Sequence, residues 1–400
     1  MNTRKTVMQL AMLGAIVTFG QQVQAQSASV SVTDYDKATS AYEEAYVNGT
    51  LNAGKSRSDD QNAYDLNLGV DYDQVFASPD RDLRLQANGN GAVNRAGTAG
   101  AVRDSRYDYG LSATADNYFN PSQSKAFWYG SLGLQGNDAF NSRQITGIVG
   151  AGYGRVVNVT PMAKSIRVIE ELMDRDQLSS EPSLATYQAV ANIIDREAEY
   201  RSKHGAADYE EIWINDIAQE IQSSGLTGEN FDAAEVIRIY TILTRERIST
   251  RKTGWKVRGG LGYVFRSFDG SSDSDPALEL GAEYHLPLSN QTQFSNEAVL
   301  TTILASGDQS YTLRNVMTLT HEIDDRIDWE NAWTLTHDIN GPTSTTNTVN
   351  TLSTAFIYEL RNELDLTTTL ALSNYSGDET VANPNGTDTS LFVGLRYRLK

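Results

Sequence analysis
The four histidines of the chain, His204, His285, His321 and His337, are the natural candidates for acid–base or metal chemistry, and their surroundings do not supply it. His321-Glu322 opens like a zinc-protease motif, but Asp325 stands where the second histidine ligand belongs. His204 falls in a helix connection, and His285 lies on the polar face of an alternating segment, placed more as a polar lining group than as a general base. There is no Gly-x-Ser-x-Gly elbow and no phosphate-cradling glycine loop. Asp273, Asp275, Asp324 and Asp325 lack the spacing of a calcium loop. With no cysteine, thiolate chemistry and disulfides are excluded. The expectation is no catalytic residue, no metal and no cofactor.

What remains is the chemistry of charged groups repeated on one face. Trp255, Val257, Leu261 and Tyr263 share one side of a strand-like run, while Lys256 and Arg258 share the other. The same alternation assigns Arg266, Glu279, Glu283, Glu330, Glu359, Arg396 and Arg398 to the polar face. Mixed charges on such a face either admit water and small solutes or pair with one another and close the space, and the sequence leaves both open.

The elements that carry these residues are about fourteen alternating strands, with twelve as the alternative. Residues 64–72 are the clearest, with Tyr64, Leu66, Leu68, Val70 and Tyr72 on one side. Connections alternate between tight turns, such as Asn120-Pro121-Ser122 and Asp324-Asp325-Arg326, and long polar loops, such as 94–104 and 376–389. Aromatic residues gather near strand ends, Trp128, Trp255, Trp329 and Tyr397 at one rim and Tyr107 and Tyr311 at the other. At the N-terminus, Arg4 and Lys5 precede a short apolar run to Phe19 and a small-residue site at Val23-Gln24-Ala25, the pattern of a signal peptide. Its removal takes the formal net charge from −18 to −20, which argues against nucleic acid as a partner. The expected organisation is a signal peptide over 1–25, a periplasmic segment over 26–45 with a short helix from Asp36, and an antiparallel transmembrane β-barrel over 46–160 and 253–400. An α-helical insert occupies 161–252.

The last strand, Phe392-Val393-Gly394-Leu395-Arg396-Tyr397-Arg398-Leu399, resembles the terminal β-signal of bacterial outer-membrane barrels. Gly394, Tyr397 and Leu399 take the positions of its glycine and of the aromatic or apolar residues three and five places on. That family signal usually ends on an aromatic residue, whereas this chain has Leu399 and a further Lys400. The resemblance implies an outer-membrane location beside lipopolysaccharide and insertion by the barrel assembly machinery.

The insert reads as three or four helices. Thr160-Pro161 starts the first, and the last runs from about Phe231 to Ile248. Its apolar stripes pack together in the simplest reading. In the sharper one, Tyr187, Tyr209 and Trp213 form an anchor for a periplasmic protein or peptidoglycan. Counting strands from either end puts the insert in the periplasm, where it either hangs below the barrel or plugs it; its size favours hanging. The functional expectation is a channel or export conduit that docks a partner there. The alternative is a non-conducting anchor, with an outer-membrane enzyme a distant third.

Overall fold
The computed structural model describes residues 30–55, 60–122, 124–138, 142–227, 231–266, 275–304, 309–341, 344–361, 363–378 and 385–399. Residues 1–31 group as a separate unit, and the architecture below is that of 32–400. The expected signal peptide lies outside the described residues.

Fourteen strands are described. The first seven are β1 (Ser40–Gly54), β2 (Ala63–Ala77), β3 (Arg81–Arg95), β4 (Asp104–Tyr118), β5 (Ala126–Asn137), β6 (Gln144–Asn158) and β7 (Lys252–Arg266). The rest are β8 (Asp275–Pro287), β9 (Thr292–Leu304), β10 (Gln309–Asp324), β11 (Ile327–Asn340), β12 (Thr345–Arg361), β13 (Leu364–Gly377) and β14 (Gly386–Arg398). Each pairs antiparallel with its sequence neighbours, and β1 meets β14 to close the barrel. Closure leaves no free sheet edge wherever the ladders are complete, as hydrocarbon demands of a spanning sheet. Even the shortest strand, β5 with 12 residues, exceeds the roughly ten that cross a bilayer at a steep tilt.

The residues from Asp36 do not form the expected helix. A short 3-10 turn covers Val32–Asp34, and β1 already begins at Ser40, inside the segment expected to precede the barrel. The reason is tertiary: all fifteen residues of β1 find partners along β2, from Ser40 opposite Ala77 to Gly54 opposite Ala63. A full ladder outweighs the weak helical preference of an isolated polar stretch.

Between β6 and β7 come five helices: α1 (Thr160–Asp174), α2 (Leu184–Asp195), α3 (Glu197–His204), α4 (Tyr209–Ser223) and α5 (Ala233–Thr244). Pro161 opens α1, the Ser183 hydroxyl caps α2, and Asp232 and Glu235 form a reciprocal capping box on α5. Gly225, at φ +72°, adopts the left-handed backbone that follows α4. Helix α5 stops at Thr244, short of Ile248, and residues 245–251 continue as a non-helical strap to β7. The helices pack on one another around Met162, Ile166, Leu172, Ile217 and Ile239, all essentially inaccessible.

Tyr187, Tyr209 and Trp213, expected as an anchor, lie in this core with 2%, 3% and 1% of their surface exposed. The Trp213 indole donates to the Ile193 carbonyl at 2.8 Å, and the Tyr209 hydroxyl accepts from Arg201 at 2.7 Å. They hold the helices together and present nothing to a partner. Ile237 on α5, at 62%, and Leu184 at the start of α2, at 41%, are the exposed large apolar residues among the described residues of the helices.

Candidate functional site: the lumen and its short-turn mouth
The pairing register fixes which side chains face inward. Lys256 stands opposite Glu283, Gly260 opposite Glu279, and Glu283 opposite Glu297. Outward positions carry the apolar residues, among them Leu68, Leu132, Val149, Leu261, Leu370 and Val393, all at least two-fifths exposed. Trp128, Trp255, Tyr358 and Tyr397 are similarly exposed near the short-turn ends of their strands. A closed barrel with an apolar outer band, aromatic rings at its rim and a polar interior is built for a bilayer.

Inside, the charges are paired across strands. Lys256 reaches Asp116 on β4 at 2.8 Å and Glu283 at 3.5 Å, and Arg258 reaches Glu279 at 3.2 Å. Arg84 on β3 holds Asp73 at 2.9 Å and touches Glu297 on β9 at 3.7 Å. Arg155 binds Asp82 at 2.7 Å with its guanidinium over the Tyr118 ring. Strict alternation would turn Arg155 outward, since it pairs with Trp255. The neighbouring Gly154, at φ +108°, breaks the pleat and sends the side chain inward.

Beside these pairs lies an apolar cluster of Tyr118, Phe127, Tyr129 and Ile148. It fits because β6 presents glycines to it: a Cβ on Gly152 would meet the Phe127 ring at 2.2 Å, and one on Gly150 would meet Tyr129 at 2.6 Å. Neighbouring rings meet at an angle, 58° between Tyr118 and Phe127 and 61° between Phe127 and Tyr129, and the Tyr129 hydroxyl donates to Glu279 at 3.2 Å.

The short-turn mouth is crossed by the strap. Arg247 sits among three inward carboxylates, Asp328 at 2.9 Å, Glu330 at 3.0 Å and Asp365 at 3.2 Å. Arg251 is fully buried and donates to the Glu322 carboxylate at 2.8 Å and to the carbonyls of Asn290 and Gln291. Thr250 bonds Glu44 on β1. The strap is therefore tied to β1, β10, β11 and β13, on both sides of the opening. A second chain of charges joins the helices to the rim: Glu171 to Arg238 at 2.8 Å, Arg238 to Glu246 at 2.7 Å, Glu246 to Arg167, and Arg167 to Asp325 in the β10–β11 turn. The Arg238 guanidinium, with Arg175 beside it, draws the Glu171 carboxyl down to about 2.

Of the charged residues expected in the lumen, Lys256, Arg258, Glu279 and Glu283 converge in the network along β7 and β8. Glu330 and Arg396 belong to the mouth, where Arg396 lies 3.3 Å from Asp365. Glu359 and Arg398 face inward nearby, opposite Asp365 and Tyr46. The Arg266 side chain lies outside the described residues. Gly394 faces inward against Thr50, whereas Tyr397 and Leu399 point outward at the rim, and the Leu399 amide donates to the Ala45 carbonyl at 2.8 Å. Alternation places Asp73 on the polar face of its strand; sequence reasoning missed Arg84 and Asp116, which the same alternation on their own strands would have found. The overlong reading of α5 places Arg247 on the polar face of that helix, and Arg251, just beyond it, is missed.

His285 approaches Ser295 at 2.9 Å, a nucleophile-and-base pair in type. Its other nitrogen stands 3.9 Å from Glu283 and from Glu297, beyond hydrogen bonding, and the ring is 2% exposed. The pair joins adjacent strands and offers a substrate no approach. His321 bonds Thr292, and its neighbour Glu322 serves Arg251, so this pair forms no metal site.

The fold and lumen define an outer-membrane β-barrel, located in the outer membrane. A family model described as a protein of unknown function, DUF481, matches residues 245–360, from the strap to β12. No curated protein matches. Among solved structures, the chain is similar to an outer membrane channel from Pseudomonas putida F1, with 7% identity over 94% of this chain and 99% of that one at a TM-score of 0.34. It is also similar to the anion-selective porin from Comamonas acidovorans, with 9% identity over 90% and 100% of the two chains at 0.32. At such scores the likeness carries no argument, and the assignment rests on the barrel itself.

Proposed function
We propose that the protein is an outer-membrane channel whose periplasmic mouth is latched by its own helical domain. The observation that carries this reading is Arg247 on three inward carboxylates. The strap closes the mouth through ion pairs and hydrogen bonds and not through an apolar core, so it can be withdrawn without unfolding the barrel. Short turns at this end and long loops at the other support the periplasmic orientation. A periplasmic partner would act on the exposed polar side of the helices, around Ile237, and not on Tyr187, Tyr209 or Trp213.

Planar-bilayer recording tests the reading. The intact protein is expected to give rare, brief openings, and a variant joining Asn158 to Lys252 by a short turn, without the insert, long ones. Silence from both overturns it. The second reading, a sealed anchor for the helical domain, draws on the Arg84–Glu297 contact across the lumen, and it predicts that silence.

A further inference from the structure
The seam between β1 and β14 differs from every other junction. Other neighbouring strands pair over ten or more positions, whereas β1 and β14 pair only from Tyr46 opposite Arg398 to Gly49 opposite Leu395. Continuing that register would bring Thr50–Gly54 against Ser390–Gly394. All ten residues are described, and none of them joins the ladder across the seam, although Gly394 still lies against Thr50 at its lower end. Both stretches remain strands, held from behind by β2 and β13. The unpaired run is about 17 Å long at 3.4 Å per residue. It lies toward the long-loop end, beyond the aromatic rim at Tyr397, with Leu51, Leu391 and Val393 on its outer side. Backbone groups left open to hydrocarbon are costly, so such an edge persists where a water-filled interior reaches it.

The lumen wall beside the seam also changes character. Over the middle of β12 to β14 the inward residues are Thr351, Ser353, Thr369, Ala371, Ser390 and Phe392, none of them charged. Phe392 is half-exposed although it faces inward. The opposite wall holds the ion pairs of Arg84, Lys256 and Arg258. A charged solute is matched by that wall, while an uncharged one with an apolar body is matched by the wall that ends at the gap.

We infer that the upper β1–β14 seam is a lateral portal, through which uncharged, largely apolar small molecules pass between the lumen and the outer half of the membrane. This rests on the channel reading for the water-filled interior, and it adds a second route out of it.

The chain has no cysteine, so introduced pairs report cleanly. Leu51→Cys with Val393→Cys spans the gap, and Leu366→Cys with Leu395→Cys spans the intact β13–β14 ladder as a control. Bridging each pair with bis-maleimidoethane, uptake of the uncharged fluorophore N-phenyl-1-naphthylamine is followed in cells producing the protein, and ion conductance in planar bilayers. The expected result is loss of protein-dependent uptake when the gap is bridged, unchanged uptake in the bridged control, and conductance retained in both. Continued uptake across a bridged gap, with conductance present, overturns the portal alone. Uptake that depends on the gap in a protein without conductance overturns the axial channel alone. Deuterium exchange gives an independent check: amides of 50–54 and 390–394 should exchange faster than those of 366–372, and equal protection overturns the portal.

Discussion
Arg84 on β3 lies 3.7 Å from Glu297 on β9, a contact between strands six places apart in a ring of fourteen. A circular barrel of fourteen strands about 4.8 Å apart and tilted about 40° is roughly 28 Å across. The two side chains together reach only about 12 Å, given the lengths of their bonds. The barrel is therefore flattened at this level, and the pair divides its lumen. A concavity of about 770 Å³ on the flattened side, lined mainly by outward residues such as Leu83, Ala115, Leu132 and Leu261, fits this shape.

Replacing that arginine tests whether the pair limits flow. Arg84→Ala is expected to raise single-channel conductance about twofold, because the open cross-section sets passage. The change also frees Asp73, and with all three side chains partly exposed each lost pair should cost at most about 1 kcal/mol. Conductance measured in the same bilayers as wild type decides the point, and an unchanged value places the constriction elsewhere.

The latch at the mouth should respond more strongly. Arg247→Ala leaves the nearly buried Asp328 without its cation, while Asp365 keeps Arg396. Breaking a buried pair from one side costs about 3 kcal/mol, a shift of more than a hundredfold toward the unlatched state. Open time is expected to lengthen, and trypsin should cut the strap sooner. An unchanged open time would count against the latch.

Packing inside the lumen makes a prediction about folding. A Cβ on Gly152 meets Phe127 at 2.2 Å and also the Val257 carbonyl oxygen at 2.5 Å. Gly152→Ala should destabilise the barrel by about 1–3 kcal/mol, the usual range for overpacking. Adding Phe127→Ala should not restore it, because the carbonyl remains. Unfolding in urea, followed by gel mobility of unheated samples, measures both variants.

Trp213→Ala distinguishes a core residue from a docking residue. Loss of a fully buried tryptophan should cost the helical domain about 3–5 kcal/mol, seen as helix melting at lower temperature in the full chain. A variant that melts like wild type would return Trp213 to the surface role expected from sequence.

Asp195 gives the helical domain a pH dependence. Burial raises its carboxyl to about 6, although the Tyr35 hydroxyl donates to it at 3.3 Å. The folded state thus holds a proton that the unfolded chain releases near the ordinary aspartate value of 3.8. The stabilisation is complete below that value and is lost as pH rises through about 6, a change of up to about 3 kcal/mol. Asp195→Asn should flatten the thermal stability of the helices between pH 4 and 7, and equal slopes in the two proteins would refute the assignment.

Much of this was legible in the chain. Alternation in segments such as Trp255–Tyr263 defines strands, and a period of two states which side chains share a face, because successive residues of a strand point opposite ways. The apolar and aromatic side of each strand, the turn lengths and the terminal strand then identify an outer-membrane barrel. Helical spacing likewise marks the stripes of α1, α2 and α4. Alternation cannot say which inward charge meets which, since Arg84 and Glu297 are brought together only by the curvature of the closed sheet. Nor can it anticipate Gly154, whose positive φ reverses the pleat and turns Arg155 inward. Amphipathic spacing marks Trp213 as belonging to an apolar face, but only packing decides that other helices cover that face. The latch at Arg247 and the gap above Gly49 have no local signal at all. Each depends on where distant segments end when the barrel closes, and that is a property of the ring and not of any strand within it.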